Sequence, residues 1–424
     1  MLKLNLEHAN IDNQEILSYQ EEVNKCHKLL KEKTGKGNDY LGWLDWPIDY
    51  DKDEVQKIVD LAAKMKGKYD TVIVCGIGGS YLGARAAIEM IRGLYPSDGI
   101  EVLFTGNTIS AKTISQLLNK IKDKNVVLNV ISKSGTTTET ALAFRLFKKA
   151  MEDKYGKEAK ERIFATTDKN KGTLKEIATK EGYTTFVIPD DIGGRYSVST
   201  AVGLLPMALC GIDVKEVLKG SCDAYHDYAS SDLNTNDAYR YGVARRILNK
   251  RGLDSEMYIT YEPQYNMISE WLKQLFGESE GKEGKGLLPT SACFTTDLHS
   301  LGQYIQEGHC CFYETILHIL DSEEDIIFPY DENNDDHMNY LADKKVSWVN
   351  EKAFEGTLKA HSEIGGVSSI LIDIDKSDAY NFGYMIYFFF LACGMSCYLL
   401  DINPFNQPGV EVYKKNMFSL LGKE

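Results

Sequence analysis

Ser132, Lys133, Ser134, Gly135, Thr136, Thr137, Thr138, Glu139 and Thr140 follow directly on an apolar run at 126–131. Each hydroxyl in this segment can donate one hydrogen bond and still accept others. The pattern reads as a strand that turns into a helix. Backbone amides at a helix start point outward, and the helix dipole favours an anion there. The segment is therefore a candidate phosphate cradle. A plain helix cap would need one hydroxyl, not a run of them.

Five further segments carry groups that could do chemistry. The first is the glycine loop Gly76, Gly78, Gly79 and Ser80, which follows the apolar run 71–75. Glycines there let the backbone approach a ligand closely. A dinucleotide fingerprint would need a glycine where Tyr81 stands and an acidic residue after the next strand, where Thr105, Gly106 and Asn107 occur. The second segment places Arg195 behind Gly193 and Gly194. Its permanently charged planar fork suits a developing oxyanion, and the lesser alternative is a structural salt bridge to Asp190 or Asp191. The third contains Gln274 and Glu278, with Glu278 between Gly277 and Ser279, so that a carboxylate could face a pocket. His299, which titrates near neutrality, is the fourth candidate. Near the C-terminus, Gln407, Pro408 and Gly409 open a last helix with Lys414 one turn inside it. Singly, Glu278 and Lys414 read as surface charges and His299 as structural.

These groups must be positioned by an alternating framework. Apolar β-type runs occur at 71–75, 102–105, 126–131, 163–166 and 185–188. Helix-type segments lie between them at 82–92, 110–121 and 136–151. Such alternation predicts βαβ units and a parallel sheet, with ligands at the carboxyl ends of the strands. A second block follows, with strands expected at 257–261 and 368–372 and helices at 214–228, 236–250 and 264–276. Residues 310–336 give no clear pattern. The acidic run 331–336 reads as a solvated loop.

With 424 residues and 43% hydrophobic content, the chain is long enough for two domains. A net charge of −14 disfavours nucleic-acid or anionic-membrane binding. The nine cysteines show no metal-type CxxC spacing and read as reduced core thiols of a cytoplasmic protein. No N-terminal secretory pattern is expected. Residues 379–400 carry no charge and reach the length of a membrane span. Asn381, Ser396, four tyrosines and two glycines favour a buried core helix instead.

Together and in this order, the five segments closely resemble the glucose-6-phosphate isomerase family, from about residue 72 to the C-terminus. The strings 193–197 and 406–414 are the most specific, and the chain resembles the compact bacterial type. The cradle also resembles the sugar-isomerase domain of phosphosugar-binding proteins. The resemblance implies two three-layer α/β/α domains of sugar-isomerase type with mainly parallel sheets. Their bounds are expected at 61–205 and 206–402, flanked by a helical segment at 1–60 and a C-terminal helix at 403–424. It implies that Ser132, Ser134, Thr137 and Thr140 hold the substrate phosphate with Lys133 alongside. Gly79 and Ser80 would contact the sugar, and Gln274 and Gln407 would line the site. Arg195 would stabilise the enediolate, Glu278 would be the base, and His299 and Lys414 would open the ring. The family needs no metal or other cofactor and works as a homodimer, with the histidine supplied by the neighbouring subunit. Gly135 and Glu280 depart from animal relatives, which carry an aromatic residue and an asparagine there. Two other readings stay open: an isomerase of a related phosphosugar, and a non-catalytic sugar-phosphate sensor.

Overall fold

The computed structural model describes residues 2–422. Among the described residues, ten strands form two five-stranded sheets. They are β1 (Leu2–Asn5), β2 (Thr71–Cys75), β3 (Glu101–Thr105), β4 (Val126–Ile131), β5 (Ile163–Thr167), β6 (Thr184–Val187), β7 (Ser255–Thr260), β8 (Leu288–Cys293), β9 (Phe312–Asp321) and β10 (Ser369–Lys376). The first sheet is parallel throughout, in the order β3-β2-β4-β5-β6. The second runs β1-β10-β9-β7-β8, parallel except for β1, which pairs antiparallel with β10.

This is the mixed α/β fold expected from the alternation. Strands β2, β4 and β5 are buried along their whole length, which is why they read as continuous apolar runs. The N-terminal region is not helical alone, because β1 closes one edge of the second sheet. The uncharged stretch forms the helix Ala379–Leu399, whose most apolar window is 100% buried. It packs against the helices Val214–Asp227 and Asp237–Lys250. Its hydrophobic character therefore serves a protein core. One apolar cluster reaches across both sheets and includes Val72, Val74, Tyr258, Phe276 and Phe388. That shared core fixes the carboxyl ends of the first sheet relative to the helices of the second.

Candidate active site

The cradle is built at the end of β4. Ser132 N–H bonds Thr166 O at 3.0 Å, and Thr167 Oγ1 donates to Ser132 O at 2.8 Å. Neighbouring strand β5 thus holds the turn. Ser132 Oγ accepts from Gly135 N–H at 3.0 Å, and Ser134 Oγ from Thr136 N–H at 3.1 Å. Gly135 adopts φ +77°, and a Cβ there would run into Leu174. Only glycine lets the turn lie this close to its neighbour. The helix Thr138–Tyr155 begins immediately afterwards with Thr137 as its cap. Thr137 makes no side-chain capping bond, so its hydroxyl remains available at that helix start, while Thr140 is buried one turn further in. Lys133 Nζ reaches Asp190 Oδ1 at 3.2 Å and the Pro189 carbonyl at 3.3 Å. It ties the cradle to the segment that carries Arg195.

The two glycine loops meet face to face. A Cβ on Gly79 would collide with the Gly194 carbonyl, so glycine at 79 is required by that approach. Gly78, at φ +58°, would place its Cβ 2.9 Å from Gln274 Nε2. Ser80 lies on the same short turn, Gly78–Ser80. Three segments remote in sequence therefore converge on one cleft at the end of β2.

Glu278 enters this cleft from the helix Asn266–Glu280. Trp271, Leu272, Leu275, Phe276, Ser279 and Glu280 form the buried stripe of that helix. Gln274 and Glu278, four residues apart, share a different face. The Glu278 side chain is 32% exposed. Its two oxygens are both held: Oε2 accepts from Arg195 Nη1 at 3.2 Å, and Oε1 from Gln274 Nε2 at 3.3 Å.

Arg195 is the hub. Its side chain is 3% exposed. Nε donates to Ser279 Oγ at 2.8 Å, and Nη1 also reaches Gln407 Oε1 at 3.3 Å. Nη2 donates to the Pro404 carbonyl and, at 3.3 Å, to that of Asn406. The local salt bridge considered from sequence does not form. Asp190 pairs with Lys133, and Arg195 pairs with Glu278.

His299 and Lys414 stand apart from this network. His299 is exposed at the end of the short helix Thr296–His299 and makes no hydrogen bond or ion pair among the described residues. Lys414 pairs with Glu411 at 3.0 Å on the helix Pro408–Leu420. Two participants escaped the sequence reading, Ser279 and Lys282. Lys282 bonds the Asn403 carbonyl and reaches Asn406 Oδ1 at 3.1 Å. Its place just past Glu278 was visible, but its target lies 121 residues away.

The sequence model described as phosphoglucose isomerase matches residues 59–423. The chain belongs to this family. It is 54% identical over 418 residues to the glucose-6-phosphate isomerase of Clostridioides difficile, covering 96% of this chain and 93% of that one. It is 53% identical over 426 residues to the enzyme of the same name from Acholeplasma laidlawii, covering 100% of both. In fold it resembles the crystal structure of a glucose-6-phosphate isomerase from Chlamydia trachomatis, with a TM-score of 0.82 at 20% identity over 99% of this chain and 88% of that one. Family membership gives the convergence of Arg195, Glu278, Gln274 and Gln407 on one cleft a chemical context.

Proposed function

We infer that this chain is an isomerase that interconverts D-glucose 6-phosphate and D-fructose 6-phosphate. The observation that carries the reading is the Arg195–Glu278 pair at 3.2 Å, with the hydroxyl-lined helix start tied through Lys133 and Asp190 to the segment that carries Arg195. A remote phosphate and a proton-moving carboxylate beside a cation are what an aldose-ketose isomerase of a sugar phosphate needs.

The sugar ring must open first, because a closed ring has no carbonyl to acidify the neighbouring C–H. His299 and Lys414 move the proton between the ring oxygen and O1. Glu278 then takes the C2 proton and returns it to C1. One carboxylate serves both carbons because the intermediate is a planar cis-enediolate. Such acid–base groups contribute roughly 10²–10⁴-fold. Arg195 stands where negative charge develops on the enediolate oxygens. Its bonds to Ser279 and to the 404–406 carbonyls hold the guanidinium in advance of the reaction. Gln274 and Gln407 line the site, as do Gly79 and Ser80 beside the sugar. The phosphate lies against Ser132, Ser134, Thr137 and Thr140 with Lys133 behind. Its binding energy keeps the open chain in place.

The isolated position of His299 supports a homodimer in which each subunit lends this histidine to its neighbour's cleft. The division into sugar-isomerase-type units at 61–205 and 206–402, a cytoplasmic location, and action without metal or other cofactor belong to the same reading. NMR of the protein with glucose 6-phosphate in D₂O and a chelator tests it. Fructose 6-phosphate carrying deuterium at C1 is expected. Bound but unconverted sugar phosphate would point to a sensor instead, and a substrate panel separates glucose from mannose or glucosamine 6-phosphate.

A further inference from the structure

The uncharged strap 403–407, Asn403, Pro404, Phe405, Asn406 and Gln407, links the core helix Ala379–Leu399 to the helix Pro408–Leu420. Two cations grip it. Arg195 takes the Pro404 and Asn406 carbonyls, while Lys282 takes the Asn403 carbonyl and Asn406 Oδ1. Arg195 holds Glu278 as well, and Lys282 lies four residues beyond Glu278 on the segment that leaves its helix. The strap delivers Gln407 to the Arg195 guanidinium, and Lys414 follows seven residues later.

We propose that Lys282 is a positioning residue, whose ammonium clamps the strap to the end of the Glu278 helix and so sets Gln407 and the Lys414 helix against the cleft. The assignment rests on the isomerase reading above and adds to it a residue that need not touch the sugar. Charge matters to the clamp, because a charged donor makes a hydrogen bond roughly twice as strong as a neutral one. Burial, and next the nearby Arg195 charge, bring the Lys282 amine down to about 8. The other groups it faces are Glu278 on its own segment, which favours the charged form, and the Cys393 and Cys397 thiols on the core helix. The clamp is therefore mostly charged at neutral pH and weakens as pH rises through that value.

The test compares wild-type protein with K282Q and K282R, measuring kcat and KM for the sugar phosphate from neutral to alkaline pH. K282Q is expected to lose roughly 10- to 100-fold in kcat, the scale of a small misplacement of reacting groups. Its KM should stay close to wild type, because the cradle is built elsewhere. K282R should recover most of kcat, and its alkaline decline should move to higher pH, since guanidinium does not deprotonate there. Wild-type kcat in K282Q at every pH would overturn the assignment. If K282Q fails to fold, K282R decides alone: an alkaline decline identical to wild type overturns the clamp. Absent turnover in the wild-type protein would instead sink the isomerase reading and this role with it, whereas a negative result confined to the variants leaves that reading intact.

Discussion

Arg245 and Glu280 form an ion pair of 2.7 Å in which both side chains are only 1% exposed. Arg245 also pairs with Glu256, which accepts hydrogen bonds from Tyr241, Tyr258 and Thr315. The guanidinium lies 3.9 Å from the centre of the Phe276 ring. Glu280 closes the helix that carries Glu278, so this buried network anchors the end of the helix from behind. The burial of Glu280 against Arg245 gives it a structural task. Arg245→Leu would leave two buried carboxylates without their cation, and about 3–5 kcal/mol of stability should be lost. Glu280→Gln should cost less, because Glu256 still neutralises the guanidinium. Denaturant midpoints of the two variants, at unchanged slope, check the order. Equal stability in Arg245→Leu and wild type would refute it.

Glu278→Gln should lower kcat by ~10²-fold or more while sugar phosphate still binds. The amide keeps the size and the contact with Gln274 but cannot take up the C2 proton. Arg195→Lys should also fall by roughly 10²–10³-fold, because a lysine cannot reproduce a fork that serves Ser279, Glu278, Gln407 and two carbonyls together. Steady-state kinetics with a separate binding measurement distinguish the two effects. Normal turnover by Glu278→Gln would remove it as the base.

Ser132→Ala and Thr140→Ala should raise KM more than they lower kcat. Both positions are at the strand end and helix start, away from the Arg195–Glu278 pair in sequence and in bonding. An unchanged KM for the sugar phosphate would count against the cradle.

How much of this was legible depended on how local the cause was. Thr71–Cys75 and Val126–Ile131 were readable to the residue, because strands buried on both faces are uninterrupted apolar runs. Leu288–Cys293 was missed: it is a partly exposed edge strand containing Pro289, Thr290 and Ser291, and so resembles a loop. Leu2–Asn5 has four residues and gains its identity only by pairing with β10. The site residues were recognisable as types in glycine-rich turns, but their partners were not. Arg195 had acidic neighbours at 190 and 191, yet its carboxylate comes from 83 residues away. Long-range pairing leaves no mark in local spacing.

His318 offers a stability switch distinct from the Arg195–Glu278 cluster. Its Nδ1 lies 2.8 Å from Asp373 and its Nε2 3.0 Å from Glu351, and the ring stacks on Phe354. Burial opposes its charge, but the hydrogen bonds to Asp373 and Glu351 outweigh burial and raise its pKa above the usual 6.5. A raised value means that protonation favours the folded state, so the stabilisation is complete below about 6.5 and is lost as pH climbs through the raised value. His318→Gln should therefore be less stable than wild type at mildly acid pH, with the gap narrowing above neutrality. Melting temperatures of both proteins across pH give the answer; a gap independent of pH would exclude the switch.

The separation of His299 from the Arg195–Glu278 cluster leads to a complementation experiment. If each cleft combines its own Glu278 with the neighbour's histidine, Glu278→Gln and His299→Asn chains are each inactive alone. In a mixed dimer, the His299→Asn chain keeps its glutamate and receives an intact histidine from its partner. One of the two clefts is then complete. Random re-pairing of equal amounts makes half the dimers mixed, so about a quarter of wild-type activity should return, as expected for an isologous pair. The regained activity should keep the wild-type KM, because the cradle in the restored cleft is unaltered. No recovery after demonstrated subunit exchange would place both residues in the same chain's cleft. In that case the exposed turn 296–299 would have to move inward on binding, and hydrogen exchange at that turn with and without sugar phosphate would reveal the movement.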